Sequence, residues 1–263
     1  MDLFRVRLNC VDHYQASPTA FDPQFNGQNG RSSQKNVPQV PVIRVFGATE
    51  TGQKVCAHIH GALPYLYLPY EDSLERKDVD AYIHSLRLSI DHALAVSYRR
   101  NTNDGKATFV AHITLVKGVP YFGYQVGYKF FLKVYMLNPL NMTRLVDLLH
   151  QGAILARMFQ PYESHLQYLL QWMCDYNLYG CAYIDCAKVK FRGPVPQYLE
   201  LNSSVHRWHD RSIQVEWVSD EDLFPKQSHC SIEVDTHVQD IVNRRDIQAR
   251  SLHHDFVERF NHL

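Results

Sequence analysis

Residues 41–70 read "PVIRVFGATETGQKVCAHIHGALPYLYLPY", and this stretch decides the fold. Apolar and polar residues alternate through its first half, which is typical of strands with one buried face. A turn around Thr51 and Gly52 divides that half into two strands, because glycine readily adopts the backbone geometry of a tight hairpin. The aromatic run that follows Gly61 predicts a further strand. The stretch therefore predicts paired strands in the first quarter of the chain.

The segments around this stretch predict a mixture of strands and helices. Further strands are predicted at residues 3–11, 107–116, 129–137, 182–192 and 231–235. Helices are predicted at residues 73–98, after Pro139, after Pro161 and from about residue 238. This order is not a regular alternation of strand and helix, so we expect an α+β fold with mixed, mostly antiparallel sheets and a few helices.

Apolar residues at intervals of three or four predict the buried side of each helix. The stripe of the first helix consists of Val79, Ile83, Leu86, Ile90 and Leu94. In the second helix Met142, Leu145 and Leu149 are predicted to point inward. In the third helix the predicted inward side consists of Leu166, Leu169, Leu170, Met173 and Asn177.

Composition limits the classes of function. The chain has 27 basic and 27 acidic residues, so it has no global attraction for phosphate, and nucleic-acid binding would depend on local patches. The six cysteines form no CxxC pair, and no signal-peptide pattern is present, so we expect reduced thiols in the cytosol or nucleus. No apolar run approaches the roughly 18 residues of a membrane span.

Two segments differ in composition or pattern from the rest. Residues 22–40 are rich in Gln, Asn, Gly, Ser and Pro, and this composition predicts a flexible loop. The helical pattern at the end of the chain is still unbroken at Leu263, so we expect a fragment of a longer polypeptide.

Cys56, His58 and His60 alternate within one predicted strand and would share one of its faces. A thiolate and two imidazoles could begin a zinc site, and Cys10 or His13 could supply a fourth ligand from a neighbouring strand. The alternative is an antiparallel strand with outward polar side chains, which we favour. No common nucleotide-binding, hydrolase or metalloprotease signature occurs elsewhere, so we predict no catalytic residue and no metal ligand.

Two patterns are compatible with nucleic-acid binding. Lys188, Lys190 and Arg192 alternate with Val189 and Phe191, so a strand would place the three cations on one face, where they could contact a phosphate backbone or only solvent. The segment "YFGYQVGY" at residues 121–128 offers aromatic rings on a loop, which could stack on bases or pack against the protein.

Four segments in the same order resemble a known family, the catalytic subunits of DNA polymerase zeta, which are B-family translesion DNA polymerases of eukaryotes. They are residues 41–70, "KGVPYFGYQ" (117–125), "KFFLKVYMLNP" (129–139) and "QPYESHLQYLLQWMCDYNLYG" (160–180). "HCSIEVDTHVQDIVNR" (229–244) is similar to the Cys-x-x-Glu-x-Asp junction that leads toward the exonuclease domain in that family.

The resemblance implies a B-family polymerase N-terminal domain at residues 1–192 and a connecting segment at 193–263 that leads toward an exonuclease-like domain. The polymerase motifs Tyr-Gly-Asp-Thr-Asp-Ser and Ser-Leu-Tyr-Pro and the exonuclease motif Asp-Ile-Glu do not occur in the chain. We therefore expect no cofactor here, and magnesium in the polymerase domain of the longer protein, where carboxylates hold the metal ions that catalyse nucleotidyl transfer.

The resemblance also implies contacts with template DNA. In archaeal relatives this domain carries a pocket that reads template uracil, and Tyr14, Pro64 and Phe131 fall near the pocket positions. Gln171 stands where an arginine is expected, which argues against uracil reading. The predicted DNA-binding residues are therefore Tyr14, Pro64, Phe131, Lys188, Lys190 and Arg192.

Two functions follow from the resemblance, both in the nucleus. The first is a scaffolding and template-guiding domain of a DNA polymerase that synthesises past lesions. The second is a protein-interaction module that contacts no DNA and docks a HORMA-type accessory subunit, further polymerase subunits or other polymerase domains. The neutral net charge favours the second over autonomous DNA binding.

Overall fold

The computed structural model describes residues 3–23, 38–100, 107–121, 123–124, 126–201, 205–219, 237 and 240. The chain forms two compact units, Met1–Val218 and Ser219–Leu263, and every site residue discussed below belongs to the first. The strand predicted at 231–235, residues 24–37 of the predicted loop and all but residue 240 of the last predicted helix lie outside the described residues. The predicted domain boundary after residue 192 stays a prediction.

The described residues form strands, three α-helices and short 3₁₀ turns. The strands are β1 (Phe4–Ala16), β2 (Val40–Ala48), β3 (Lys54–Ile59), β4 (Tyr65–Tyr70), β5 (Val110–Gly118), β6 (Lys129–Met136), β7 (Tyr183–Cys186), β8 (Phe191–Arg192) and β9 (Val218–Ser219). The helices are α1 (Arg76–Ser97), α2 (Met142–His150) and α3 (Tyr168–Asp175), and the 3₁₀ turns are Pro139–Asn141, Tyr198–Glu200 and Val215–Trp217.

Two antiparallel sheets organise the first unit. One has four strands in the order β3-β2-β1-β7, and the other has three in the order β4-β6-β5. The predicted hairpin between β2 and β3 is confirmed: Ala48 pairs with Lys54, and Gly52 in the turn has a positive φ of 85°. The α+β fold with antiparallel sheets and a few helices is thus confirmed.

Strand β1 is longer than the predicted strand at residues 3–11. The pairing with β2 shifts between Leu8 and Cys10, which is a β-bulge. A bulge inserts one extra residue and reverses which side chains face the core. The apolar alternation therefore ends near Val11, although the strand continues to Ala16.

The three-stranded sheet packs one face against α1 and α2, and this contact forms the larger core. The predicted stripe of α1 is confirmed, because Val79, Leu86, Ile90 and Leu94 are buried and Ile83 is partly buried. In α2, Leu145 and Leu149 are buried as predicted, and Met142 packs against the same core. No helix of the described ranges is both long enough and apolar enough to cross a membrane.

Helix α3 lies on the four-stranded sheet with a face that only partly matches the predicted one. Its buried residues are Tyr168, Gln171 and Trp172, whereas Leu170 is 49% exposed. The apolar pattern was misleading because α3 is short and its inward side includes an amide that hydrogen-bonds to the backbone of β4. The predicted face is therefore confirmed at Leu169 and Met173, which pack against the core, and wrong at Leu170.

The extended segment predicted at residues 182–192 consists of two short strands, β7 and β8, separated by a bend at residues 187–188. Beyond the bend, Val189 and Phe191 pack on the core of the four-stranded sheet. The ring of Phe191 meets Phe4 at 5.2 Å and Trp208 at 5.6 Å between centroids. These contacts draw the chain inward and interrupt the strand.

Candidate nucleic-acid interface

The four-stranded sheet has one face turned away from its core. Because side chains alternate along a strand, burial of Ile43 and Val45 places Arg44 and Phe46 on that outer face. The strand register aligns Arg44 with Asp12 of β1 on one side and His58 of β3 on the other. Pairing therefore fixes a polar row across three strands, and the side chain of Phe46 beside it is 37% exposed.

Arg44 is the centre of this outer face. Its Nε and Nη2 donate to the two carboxylate oxygens of Asp12 at 2.7 and 2.6 Å. Its guanidinium carbon lies 5.1 Å from the ring centroid of Tyr14 and 5.6 Å from that of Phe46. The hydrogen bond with Asp12 raises the pKa of Arg44. A planar cation is thus held between two aromatic rings.

A second arginine–ring contact occupies the other end of the face. Arg5 bonds to Asp185 at 2.5 Å and to Glu50 at 2.7 Å, and its guanidinium lies 5.8 Å from the ring of Tyr183. These side chains are about 40% exposed, so the ion pairs are screened by solvent and contribute little to stability. The outer face therefore repeats one arrangement, an arginine held by acids beside an exposed ring.

His58 is neutral at neutral pH. Its Nδ1 lies 2.9 Å from the Tyr14 hydroxyl, and its Nε2 lies 3.6 Å from the Cys56 sulfur. Burial lowers the pKa of His58 to about 4, and the positive charge of Arg192 contributes to this shift. The same arginine and Arg44 oppose the rise in pKa that burial causes at Tyr14. The charge of Arg192 therefore affects both His58 and Tyr14.

Among the candidate zinc ligands, Cys56 and His58 come together, but no third one joins them in the described residues. Burial raises the pKa of the Cys56 thiol, which favours the protonated form that binds metals poorly. His60 bonds to Asp22 instead of facing His58, and the ring of His13 packs against Tyr168 at 5.1 Å. Across the described ranges no three or more His, Cys, Asp or Glu side chains are grouped to hold a metal ion.

Asp22 anchors the beginning of the predicted loop. Its side chain is 2% exposed and accepts hydrogen bonds from Thr19 N and Oγ1, from the His60 ring and from Gly61 N at 2.8–3.3 Å. Burial alone would raise the pKa of Asp22, but these bonds hold it below its ordinary value. The loop predicted from residue 22 therefore begins with a fixed residue.

The three predicted cations differ in their surroundings. Lys188 is exposed and lies in the bend between β7 and β8, so it does not share a strand with Arg192. Lys190 donates from Nζ to the carbonyl oxygen of Glu216. The charge of Arg192 opposes the rise in the pKa of Tyr14, another predicted site residue.

Pro64 and Phe131 belong to the other sheet. Pro64 is buried, and its carbonyl oxygen accepts from Met136 N at 2.8 Å. Phe131 pairs with Pro69 and packs edge-on against Tyr162, with centroids 5.4 Å apart. Since Phe131 and Met136 are five residues apart on one strand, about 17 Å separates the two ends. Tyr14, Pro64 and Phe131 therefore do not form one pocket.

A lysine surrounded by tyrosines lies between these two ends. Lys133 Nζ is 3.5 Å from the ring centroid of Tyr65, 5.0 Å from that of Tyr135 and 5.3 Å from that of Tyr67. Burial would lower the pKa of Lys133, but Tyr67 and Tyr135 raise it above its ordinary value. The amine thus stays charged within the face that carries Phe131.

Gln171 ties α3 to this sheet. Its Oε1 accepts from Tyr65 N at 3.1 Å, and its Nε2 donates to Tyr65 O at 3.0 Å. One turn further along the helix, Asp175 accepts from the Tyr65 hydroxyl at 2.6 Å. Tyr67 makes the equivalent backbone bonds with Tyr162. The outer edge of β4 is therefore closed, and Gln171 has a structural role.

Arg44, Phe46 and Lys133 are absent from the residues predicted from the sequence. The alternation in "VIRVF" would have placed Arg44 and Phe46 together on the face opposite the core. No local signal points to Lys133, because its three tyrosines come from two strands that pair only in the folded sheet.

Comparison with known proteins agrees with the resemblance in the sequence. The family described as DNA polymerase zeta catalytic subunit, N-terminal, matches residues 3–60, and that described as DNA polymerase delta catalytic subunit-like, N-terminal domain, matches residues 61–143. The DNA polymerase zeta catalytic subunit of Saccharomyces cerevisiae is 36% identical over 284 residues and covers 100% of this chain. That of Homo sapiens is 38% identical over 263 residues and covers 94%.

The chain spans 18% of the length of the yeast relative and 8% of the human one. A solved structure of the family B DNA polymerase from Pyrobaculum calidifontis is 19% identical, with a TM-score of 0.39, over 71% of this chain and 18% of that one. The predicted family is confirmed by identities of 36–38% that extend across nearly all of the chain. The chain belongs to the family of DNA polymerase zeta catalytic subunits, which are B-family DNA polymerases, and corresponds to its N-terminal region.

Proposed function

We propose that this chain is a scaffolding and template-guiding domain of a translesion DNA polymerase. The observation that carries the proposal is the outer face of the four-stranded sheet, where Arg44 lies against the rings of Tyr14 and Phe46. Aromatic rings on an exposed sheet are a recurrent platform for stacking unpaired bases, and arginine planes add to such a platform.

The charges near this face predict only a weak contact with DNA. Asp12 offsets the charge of Arg44, so attraction for phosphate falls to Arg192 and to the exposed Lys188. Lys190 donates from Nζ to the carbonyl oxygen of Glu216. With a net charge of zero, the chain gains no general attraction that would add to these three cations. We therefore expect low affinity and a marked dependence on salt.

Fluorescence anisotropy with a labelled oligothymidine tests this proposal. Alanine at both Lys188 and Lys190 is expected to weaken binding and to reduce the slope of log K against log salt by about 1.4, since each phosphate contact with a single strand contributes about 0.7. The matched control places alanine at Arg76 and Lys77, two exposed cations of α1. An unchanged slope in the first variant, or an equal change in the control, would contradict the proposed contact.

A second function rests on exposed apolar side chains on and after α3. Leu170, Tyr176 and Tyr179 are each about half exposed or more, which suits docking of other polymerase domains or accessory subunits such as a HORMA-type protein. Purified accessory subunit retained by this chain, and released when Leu170 and Tyr179 are changed to alanine, would support this function. Retention that survives those changes would exclude this surface.

The remaining features of the proposal concern the longer protein. Magnesium-dependent nucleotidyl transfer would belong to a polymerase domain, since no metal-binding group of carboxylates occurs in the described part of this chain. The proposed place of action is the nucleus, where translesion synthesis on chromosomal DNA would take place.

A further inference from the structure

The connection between β5 and β6 projects from the three-stranded sheet and exposes aromatic side chains. Gly118 pairs with Lys129 at the base of this hairpin, and the described residues beyond the base are 119–121, 123–124 and 126–128. We call these residues, together with Lys117 and Lys129, the hairpin tip. Tyr124 and Val126 are fully exposed, Tyr121 is 91% exposed and Tyr128 is 69% exposed. Packing of these rings into a core is therefore ruled out.

The charge around the hairpin tip has one sign. Residues 105–146 contain five basic residues and no acidic residue, although the whole chain has 27 of each. Lys117 Nζ lies 4.6 Å from the ring centroid of Tyr128, so one cation is already placed beside a ring. Lys129 is exposed on the paired strand. The tip thus combines exposed rings with two lysines, Lys117 and Lys129.

The backbone keeps the rings apart from the sheet. Gly123, Tyr124 and Gly127 have positive φ values of 95°, 50° and 92°. Such values turn the chain sharply, and for tyrosine they carry a conformational cost that a bound partner can offset. A tip built in this way presents ring faces to solvent instead of folding them back.

We infer that the hairpin tip binds an unpaired nucleic-acid strand, with bases stacked on Tyr124 and Tyr128 and phosphates near Lys117 and Lys129. Exposed rings beside cations match the chemistry of single strands, in which every base has a ring face and every nucleotide carries one negative charge. In a duplex the base faces are stacked on one another, so only its phosphates, through the lysines, could contact the tip. The inference rests on the proposed template-guiding function and adds a contact outside the four-stranded sheet.

The test is the affinity of the whole chain for a fluorescein-labelled oligothymidine of about 20 nucleotides, which exceeds the usual site sizes of about 4–16 nucleotides. Changing Tyr124 or Tyr128 to alanine is expected to weaken binding by at least about fivefold, the lower end for loss of one stacked base. Changing Leu88, an exposed residue of α1 outside the hairpin, to alanine is the control and should leave the affinity within about twofold.

The nature of the contact is tested with a duplex and with salt. Alanine at both Lys117 and Lys129 should reduce the slope of log K against log salt by about 1.4 for the single strand. The Tyr124→Ala chain should bind a duplex as well as the parent chain does, because base faces are not available there. A loss of duplex affinity equal to that for the single strand would overturn the stacking contact.

The outcomes separate this inference from the proposed function. If affinity for the single strand falls only when Lys188 and Lys190 are changed, and is unmoved at Tyr124 and Tyr128, the inference is wrong and the proposed function stands. If no variant binds, and the parent chain also fails to bind at low salt, both are wrong. Unchanged melting temperatures for the tyrosine variants would show that any loss is a loss of contact, since these side chains are exposed.

Discussion

Gln171 holds the outer edge of β4, and its replacement by leucine should destabilise the fold strongly. Its amide bonds to both Tyr65 N and Tyr65 O, and the Gln171 side chain is 3% exposed. Leucine has a similar volume but no polar atoms, so it would leave the two backbone groups buried without partners. Each buried unsatisfied group costs about 1–3 kcal/mol. For the two groups together we expect a loss of about 2–6 kcal/mol in the free energy of unfolding.

Urea unfolding followed by circular dichroism measures this loss. With a slope of about 3 kcal/mol per molar, the midpoint should fall by about 0.7–2 M. Gln167→Leu is the matched control, because Gln167 precedes the same helix, is exposed and makes no capping hydrogen bond. Its effect should stay within about 0.5 kcal/mol. Equal midpoints for Gln171→Leu and the control would refute the role of the amide.

Two further predictions concern the side chains of His58 and Asp22. The pKa of His58, about 4, is below its ordinary value of 6.5, so the unfolded state binds more protons between these values and stability should fall as pH drops through this window. A proton NMR titration should show this pKa, and Arg192→Ala should raise it without restoring the ordinary value, since burial is the main cause. A titration near 6.5 in the parent chain would contradict the burial. Asp22→Ala should cost about 1–3 kcal/mol in urea unfolding, because it removes the acceptor that His60 and Thr19 share. A loss below about 0.5 kcal/mol would show that Asp22 is no anchor.

The parts of the fold that the sequence predicts well are those with a local pattern. The hairpin at Gly52 follows from alternation and turn chemistry, and the face of α1 follows from a long stripe with one period. The full length of β1 could not be predicted, because the bulge after Leu8 changes the side of the strand on which apolar residues lie.

The face of α3 depends on a contact distant in sequence. Gln171 is polar and would be assigned to solvent, but it lies against Tyr65, a residue 106 positions earlier. Leu170 is apolar and would be assigned to the core, but it is 49% exposed. For a helix of only eight residues, such contacts outweigh the periodic pattern.

In the candidate site, too, some features follow from a local sequence pattern and others depend on contacts between distant residues. The charge of Arg192 affects the pKa of Tyr14, and this coupling depends on where β8 lies in the folded chain, which no local pattern predicts. Pro64 and Phe131 fall at opposite ends of paired strands, a separation that only the register between β4 and β6 defines. Arg44 could have been found from alternation alone, since its neighbours in sequence on both sides are buried.

Photocrosslinking tests the central claim, that this domain contacts an unpaired template strand, most directly. A 4-thiothymidine oligonucleotide would be irradiated with the whole chain at low salt, and the crosslinked peptides would be identified by mass spectrometry. The account predicts crosslinks in the peptides that carry Tyr14 and Phe46, on the outer face of the four-stranded sheet, or Tyr124 and Tyr128, at the hairpin tip. Crosslinks confined to α1, or none at any salt concentration, would contradict it.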